Sequence, residues 1–323
     1  MESVPEEKKK LLSIIIPALN EQETIPILYE TIEALAPELP VNLEYLFIDD
    51  GSTDGTMEVV RGLAARDSRV HYVSFSRNFG KEAAIFAGIQ NASGDLLVLM
   101  DADLQDPPAL LPQMITEILE NGYDCVGTRR IDRKGEPRVR SFFARRFYRL
   151  MSKISKTEIV DGARDYQMMT RKVAEAILSI GEYNRFSKGI FGWVGYHKKW
   201  ISYENVGRVA GKSKWSFWKL LIYAMDGIVA YSTVPLVISS VLGLVLCLVA
   251  FIFILIIIAR TLIFGDPTSG WPSLACIIIL LAGLQMFFIG ILGQYLAKTY
   301  LETKHRPIYL VREDNLVTED NKL

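Results

Sequence analysis

The sequence predicts an α/β domain built on a mainly parallel sheet, followed by amphipathic interfacial helices and two transmembrane helices. Three observations carry this expectation. Short apolar runs alternate with stretches of helical periodicity, charged residues gather directly after those runs, and two long stretches near the C-terminus hold no charge at all. The chain has 323 residues, half of them hydrophobic, with 36 Lys and Arg against 37 Asp and Glu. It is too apolar for disorder and too neutral for a general nucleic-acid binder, so no nucleic-acid partner is expected. Cys125 stands alone, and Cys247 and Cys276 sit inside the apolar stretches. Such cysteines build neither a disulfide framework nor a zinc site, which fits a reducing, cytoplasm-facing location.

Residues 11–16 follow three lysines and so mimic a secretory leader. The β-branched triplet Ile14, Ile15, Ile16, the stop at Pro17 and the lack of a small-residue cleavage site make them a buried strand instead. Further strands are expected at 43–48, 70–75, 96–100 and 123–126. Helices are expected at 23–35, 56–65, 81–91 and 109–120. Strand, helix, strand at this spacing implies parallel pairing with helices on both faces, and ligands then collect at the carboxyl ends of the strands. Asn20 and Glu21, Asp49 and Asp50, Arg77 and Asn78, and Asp101 and Asp103 each follow one of the first four strands.

The character changes after about residue 130. Between Arg129 and Arg149, nine basic residues outnumber two acidic ones and alternate with Phe142, Phe143, Phe147 and Tyr148. A basic amphipathic helix at about 138–154 is expected to lie on an anionic membrane surface. Residues 212–221 repeat the theme with Lys212, Lys214, Trp215 and Trp218. Spans are expected at about 234–258 and 273–295, and the lysines and arginines flanking the pair place both termini in the cytoplasm. The expected organisation is a catalytic domain over 1–210, a juxtamembrane segment over 211–231, a two-span hairpin over 232–297 and a cytoplasmic tail over 298–323.

Two strings carry the chemistry. Asp101-Ala102-Asp103-Leu104-Gln105-Asp106-Pro107-Pro108 follows an apolar strand, and period-two geometry would point Asp101 and Asp103 the same way. Paired hard oxygen ligands suit Mg2+ or Mn2+ bound together with a diphosphate. Asp49-Asp50-Gly51-Ser52-Thr53-Asp54-Gly55-Thr56 contains a helix cap in Asp54. Asp49 and Asp50 can accept hydrogen bonds from a base N–H and ribose hydroxyls.

With Pro17-Ala18-Leu19-Asn20-Glu21, Arg77-Asn78-Phe79-Gly80-Lys81 and Gly211-Lys212-Ser213-Lys214-Trp215, these strings resemble the family 2 glycosyltransferases of GT-A fold. Within them the chain is similar to the polyisoprenyl-phosphate glycosyltransferases, the group of dolichol-phosphate mannose synthase and the bacterial bactoprenol glucosyltransferases. The resemblance implies inverting transfer of one sugar from a nucleotide-sugar donor to a polyprenyl phosphate such as undecaprenyl phosphate, at the plasma membrane. UDP-glucose and UDP-N-acetylglucosamine are favoured donors, with GDP-mannose open. It assigns Pro17, Ala18, Glu21, Asp49, Asp50, Arg77, Lys81, Asp101 and Gln105 to the donor, and Asp101 and Asp103 to the metal. Asp103, Asp165 and Arg129 become the catalytic candidates, and Arg140, Arg145, Lys212 and Lys214 the acceptor-phosphate candidates. A homo-oligomer and a flippase partner are compatible with this reading. A processive polysaccharide synthase and a non-catalytic nucleotide-sugar-binding assembly partner are the alternatives, although the Gln-x-x-Arg-Trp motif associated with synthases is absent: Gln167 and Arg171 are spaced differently, and Lys172 follows.

Overall fold

Ile14, Ile15 and Ile16 are all fully buried, which requires a strand covered on both faces. They form the middle of β1 (Leu11–Ala18) in a computed structural model that describes residues 9–130, 160, 162–204, 233–264 and 270–316. The expected helix at about 138–154, the segment 211–231, and Arg140, Arg145, Lys212 and Lys214 lie outside the described residues. Chain order continues through α1 (Thr24–Leu35), β2 (Asn42–Asp49), α2 (Thr56–Ala64), β3 (Val70–Phe75), α3 (Lys81–Asn91), β4 (Leu96–Leu99) and α4 (Leu111–Leu119). These agree with the sequence expectation to within one or two residues, because each couples an apolar run to a clear period.

Strand alternation explains the layers. Leu12, Ile14 and Ile16 face one side, where they share a core with Ile25, Leu28 and Ile32 of α1 and with Leu111, Met114 and Ile115 of α4. Ile15 faces the other side, toward α3. There a Cβ added to Gly88 would sit 2.1 Å from Ile15 Cγ2, so only glycine lets helix and strand approach this closely.

The sheet continues with β5 (Cys125–Arg130) and β6 (Ala163–Thr170). After α5 (Arg171–Leu178) and α6 (Ser187–Trp193) comes β7 (Lys198–Tyr203). The order is β7-β5-β6-β4-β1-β2-β3 followed by one more strand, β8 (Val311–Asp314). The central strands β4, β1, β2 and β3 are parallel, whereas β6 runs antiparallel to both β4 and β5. The fifth strand starts later than expected and extends to Arg130. Its polar half, Gly127 to Arg130, carries no apolar signal and is held by pairing to β6 and β7.

The segment expected as a cytoplasmic tail contributes a strand. β8 pairs antiparallel with β3, so the segment from Arg306 belongs to the α/β unit. Tyr309 stacks on Phe75 at 4.8 Å. The Asn315 side chain accepts the Tyr72 N–H at 2.7 Å and donates to the Val70 carbonyl at 3.1 Å. Covering the backbone groups of an edge strand is what such a segment achieves. Nothing in Val311-Arg312-Glu313-Asp314 alternates in a way that announces a strand.

The other unit holds α7 (Val234–Phe264) and α8 (Trp271–Thr303). Both extend past the expected spans, and each contains a window apolar enough to cross a membrane. Leu244, Phe251 and Met286 are each more than half exposed, a pattern suited to lipid rather than water. As a test of the helix-to-strand approach, Gly88→Ala should destabilise the α/β unit by about 1–3 kcal/mol, read as a lowered thermal midpoint.

Candidate active site

The strand order reverses beside β1, with β2 and β3 on one side and β4 on the other. A crevice opens at the carboxyl ends on either side of such a reversal. The loops after β1 and β2 are laced across it. Asn20 takes a left-handed backbone (φ 54°), its N–H donates to Ser52 Oγ at 2.9 Å, and its side-chain oxygen accepts the Thr53 N–H at 2.8 Å. The Glu21 N–H donates to Thr56 Oγ1 at 2.8 Å. Gly51 combines a φ of 72° with backbone so close that a Cβ would lie 2.6 Å from the Arg77 carbonyl carbon. No other residue fits that turn without moving the third loop.

The acidic pair that precedes Gly51 holds this turn. Asp49 is buried; Oδ1 accepts the Ser52 N–H at 2.9 Å and Oδ2 accepts the Ser74 hydroxyl at 2.7 Å. Asp50 Oδ1 accepts the amides of Phe79 at 2.7 Å and Gly80 at 3.0 Å. Burial pushes the Asp50 carboxyl up, and those two amides oppose the shift. Asp49 ends β2, and its two oxygens accept from the Ser52 amide and the Ser74 hydroxyl, whereas Asp50 lies just beyond the strand. Pro17 and Ala18 end β1 beside this loop, with Ala18 buried, and the Glu21 carboxylate accepts the Thr24 hydroxyl at 2.9 Å. Arg77 folds over the Phe79 ring at 4.1 Å.

On the other flank, Lys81 opens α3 and reaches two carboxylates at once, Asp101 at 2.7 Å and Asp165 at 2.6 Å. Burial alone would lower the Lys81 ammonium, but the two carboxylates hold it well above its ordinary value. Burial alone would raise Asp165, yet Lys81, Lys188 and Arg164 hold it well below the usual carboxylate range. Glu82, next along α3, accepts the Ser187 N–H at 2.8 Å and also its hydroxyl, which pins α6 to the start of α3.

Beneath this bridge lies a group without an assigned role in the sequence reading. Asp106 is fully buried, and its oxygens face Arg164 Nε at 3.3 Å, the Tyr203 hydroxyl at 3.2 Å and the Asp101 N–H at 3.3 Å. Burial pushes its carboxyl up to about 6, with Arg164 opposing. Arg164 also stands 3.9 Å from Asp101. Asp106, inside the Asp101–Pro108 string, meets Arg164, the neighbour of Asp165, through the pairing of β4 with β6.

One expectation needs revising, and one candidate sits apart from the cluster. β4 ends at Leu99, so Asp101 and Asp103 lie in a turn where Leu104 has a φ of 58°, and the period-two argument for their common direction does not apply. Asp103 instead accepts the Gln105 N–H at 3.1 Å. Arg129 leaves the cluster: its guanidinium donates to Ser202 Oγ at 2.9 Å, whereas Arg130, alternating to the other face, reaches Gln105 Oε1 at 3.1 Å. Among the described residues, no three Asp, Glu, His or Cys side chains form a metal cage. Cations that accompany nucleotide phosphates need only one or two carboxylates, the remaining ligands coming from phosphate and water. The donor chemistry of Asp101 and Asp103, two carboxylates two residues apart in one turn, fits that mode.

Comparison with known proteins gives the family. The family described as Glycosyl transferase family 2 matches residues 13–178. A bactoprenol glucosyl transferase of Shigella phage SfV is 41% identical over 94% of this chain and 98% of its own. A prophage bactoprenol glucosyl transferase homolog of Escherichia coli is 42% identical over 93% of this chain and 98% of its own. Among solved structures, a glucosyl-3-phosphoglycerate synthase of Mycobacterium tuberculosis aligns with a TM-score of 0.46 at 21% identity, covering 68% of this chain and 78% of that one. That alignment is too loose to bear on function.

Because folding raises the Asp106 pKa from 3.8 to about 6, the folded chain keeps a proton that the unfolded chain releases in that window. Stability should therefore fall as pH rises from about 4 to about 6. Asp106→Asn, which cannot titrate, should flatten that slope in thermal unfolding.

Proposed function

The chain belongs to glycosyl transferase family 2, and from that premise we propose that it moves a single sugar from a nucleotide donor to a polyprenyl phosphate in the cytoplasmic leaflet of the plasma membrane. UDP-glucose is the favoured donor and UDP-N-acetylglucosamine the second choice. The observation that carries the reading is the Lys81 bridge between Asp101 and Asp165 at the carboxyl end of β4, in a chain that also has two helices apolar enough for a bilayer. Relatives named for bactoprenol glucosyl transfer, covered almost end to end, support the acceptor class.

The nucleoside occupies the laced loops after β1 and β2, against Pro17, Ala18, Glu21 and Asp50, with Arg77 at the rim. Asp103 and Asp101 would hold Mg2+ or Mn2+, which when bound supplies positive charge against the departing diphosphate. Lys81 keeps Asp101 and Asp165 at a fixed spacing, and Arg164 with buried Asp106 supports Asp101 from below. Fixed charges of this kind need no reorganisation as the glycosidic bond breaks.

The acceptor brings its own nucleophile. A phosphate monoester with a second pKa near 6 is largely dianionic at neutral pH, so its oxygen attacks the anomeric carbon opposite the leaving nucleotide and inverts it. Asp165, ion-paired and held in its ionised form, is a weak base and serves to orient the acceptor. Arg140, Arg145, Lys212 and Lys214 are proposed to receive the acceptor phosphate. The pairing of β8 with β3 supports a two-span topology, because a chain that returns to its own sheet crosses a bilayer an even number of times.

Membranes containing the protein, given labelled UDP-glucose and undecaprenyl phosphate, should form a labelled lipid soluble in chloroform. EDTA should abolish it, and Asp103→Asn should lower turnover by about a hundredfold or more. Long water-soluble polymer would point to a synthase, and binding without turnover to an assembly partner. Asp165→Asn should cost less than Asp103→Asn and leave the acid limb of the rate profile in place. Disappearance of that limb would make Asp165 the base.

A further inference from the structure

β8 does more than cover an edge. Its register with β3 slips between Ser74 and Phe75: Ser74 faces Glu313 and Phe75 faces Val311, which leaves Arg312 as the extra residue of a bulge. Bulges re-aim side chains, and here the Arg312 guanidinium lies along the sheet edge against Ser74. Its guanidinium donates to Ser74 Oγ at 2.9 Å and stands 3.7 Å from Asp49 Oδ2. Ser74 passes its own hydroxyl hydrogen to Asp49 Oδ2, and Asp49 Oδ1 receives the Ser52 N–H. Ser52 Oγ in turn accepts the Asn20 N–H. An unbroken chain of polar contacts thus runs from a segment beyond the second apolar helix to the loops after β1 and β2. The Asp49 side chain is 2% exposed, and Arg312, at 48%, is the cation beside it.

We propose that Arg312 is a positioning residue for the nucleotide donor: through Ser74 and Asp49 it fixes the Gly51–Ser52 turn, so that the C-terminal segment completes the donor side of the site. This rests on the function proposed above. An ion pair with one partner half exposed contributes little to overall stability, so loss of Arg312 should be felt in the turn rather than in the fold.

The test uses the full chain in lipid nanodiscs, with UDP binding measured by calorimetry in the presence of Mn2+ and steady-state kinetics measured with UDP-glucose and undecaprenyl phosphate. Arg312→Ala should weaken UDP binding and raise the donor KM by about five- to tenfold, while the acceptor KM and thermal midpoint stay near wild type. Arg312→Lys should recover part of the loss, because the charge returns without the planar fork. Arg61→Ala cuts the pair to Glu313 on the same strand without touching Asp49, and should leave the donor KM unchanged. Unaltered donor binding in Arg312→Ala, or an equal loss in Arg61→Ala, would overturn the inference alone. A wild-type chain that binds no UDP would overturn it together with the proposed function.

Discussion

The site depends on one ammonium shared by two carboxylates. Lys81 joins the start of α3 to the turn after β4 and to the strand β6, three places far apart in the chain. Two acids this near each other would repel without it, and one would take up a proton. With it, Asp165 stays ionised and Asp101 is held against the start of α3. Glu82, fixed by Ser187, holds the same turn of α3, so the cation is anchored from behind as well.

The sheet makes that meeting possible. β1 lies between β2 and β4, which brings the turn after each of them to one rim. The antiparallel entry of β6 against β4 then delivers Arg164 and Asp165 to the rim from the opposite chain direction. Alternation along β6 sends the two neighbours to different partners, Arg164 to Asp106 and Asp165 to Lys81. Buried charge at Asp106 is tolerable because Arg164 and the Tyr203 hydroxyl face it.

The C-terminal segment links the two parts of the chain's character. Apolar helices α7 and α8 carry side chains that water would not tolerate, and the residues just after them return to the α/β sheet as β8. The last strand is therefore both an edge cover and, through Arg312, a neighbour of the loop that begins with Asp49. A tail with this much contact is part of the domain, not an appendage to it.

Most of the fold was written in local pattern. The central strands are buried on both faces and so had to be continuous apolar runs, the helices between them had to be amphipathic, and the two uncharged stretches could hardly be anything but long apolar helices. The acidic strings and Lys81 were visible as motifs because their residue types suit phosphate and metal chemistry. What the sequence could not carry was partnership. It held no signal that β8 would return to β3, that Arg164 would meet Asp106, or that Arg130 and not Arg129 would turn toward Gln105. Periodicity is a property of neighbours along the chain, whereas these contacts are set by strand order and register, which exist only once the sheet has formed.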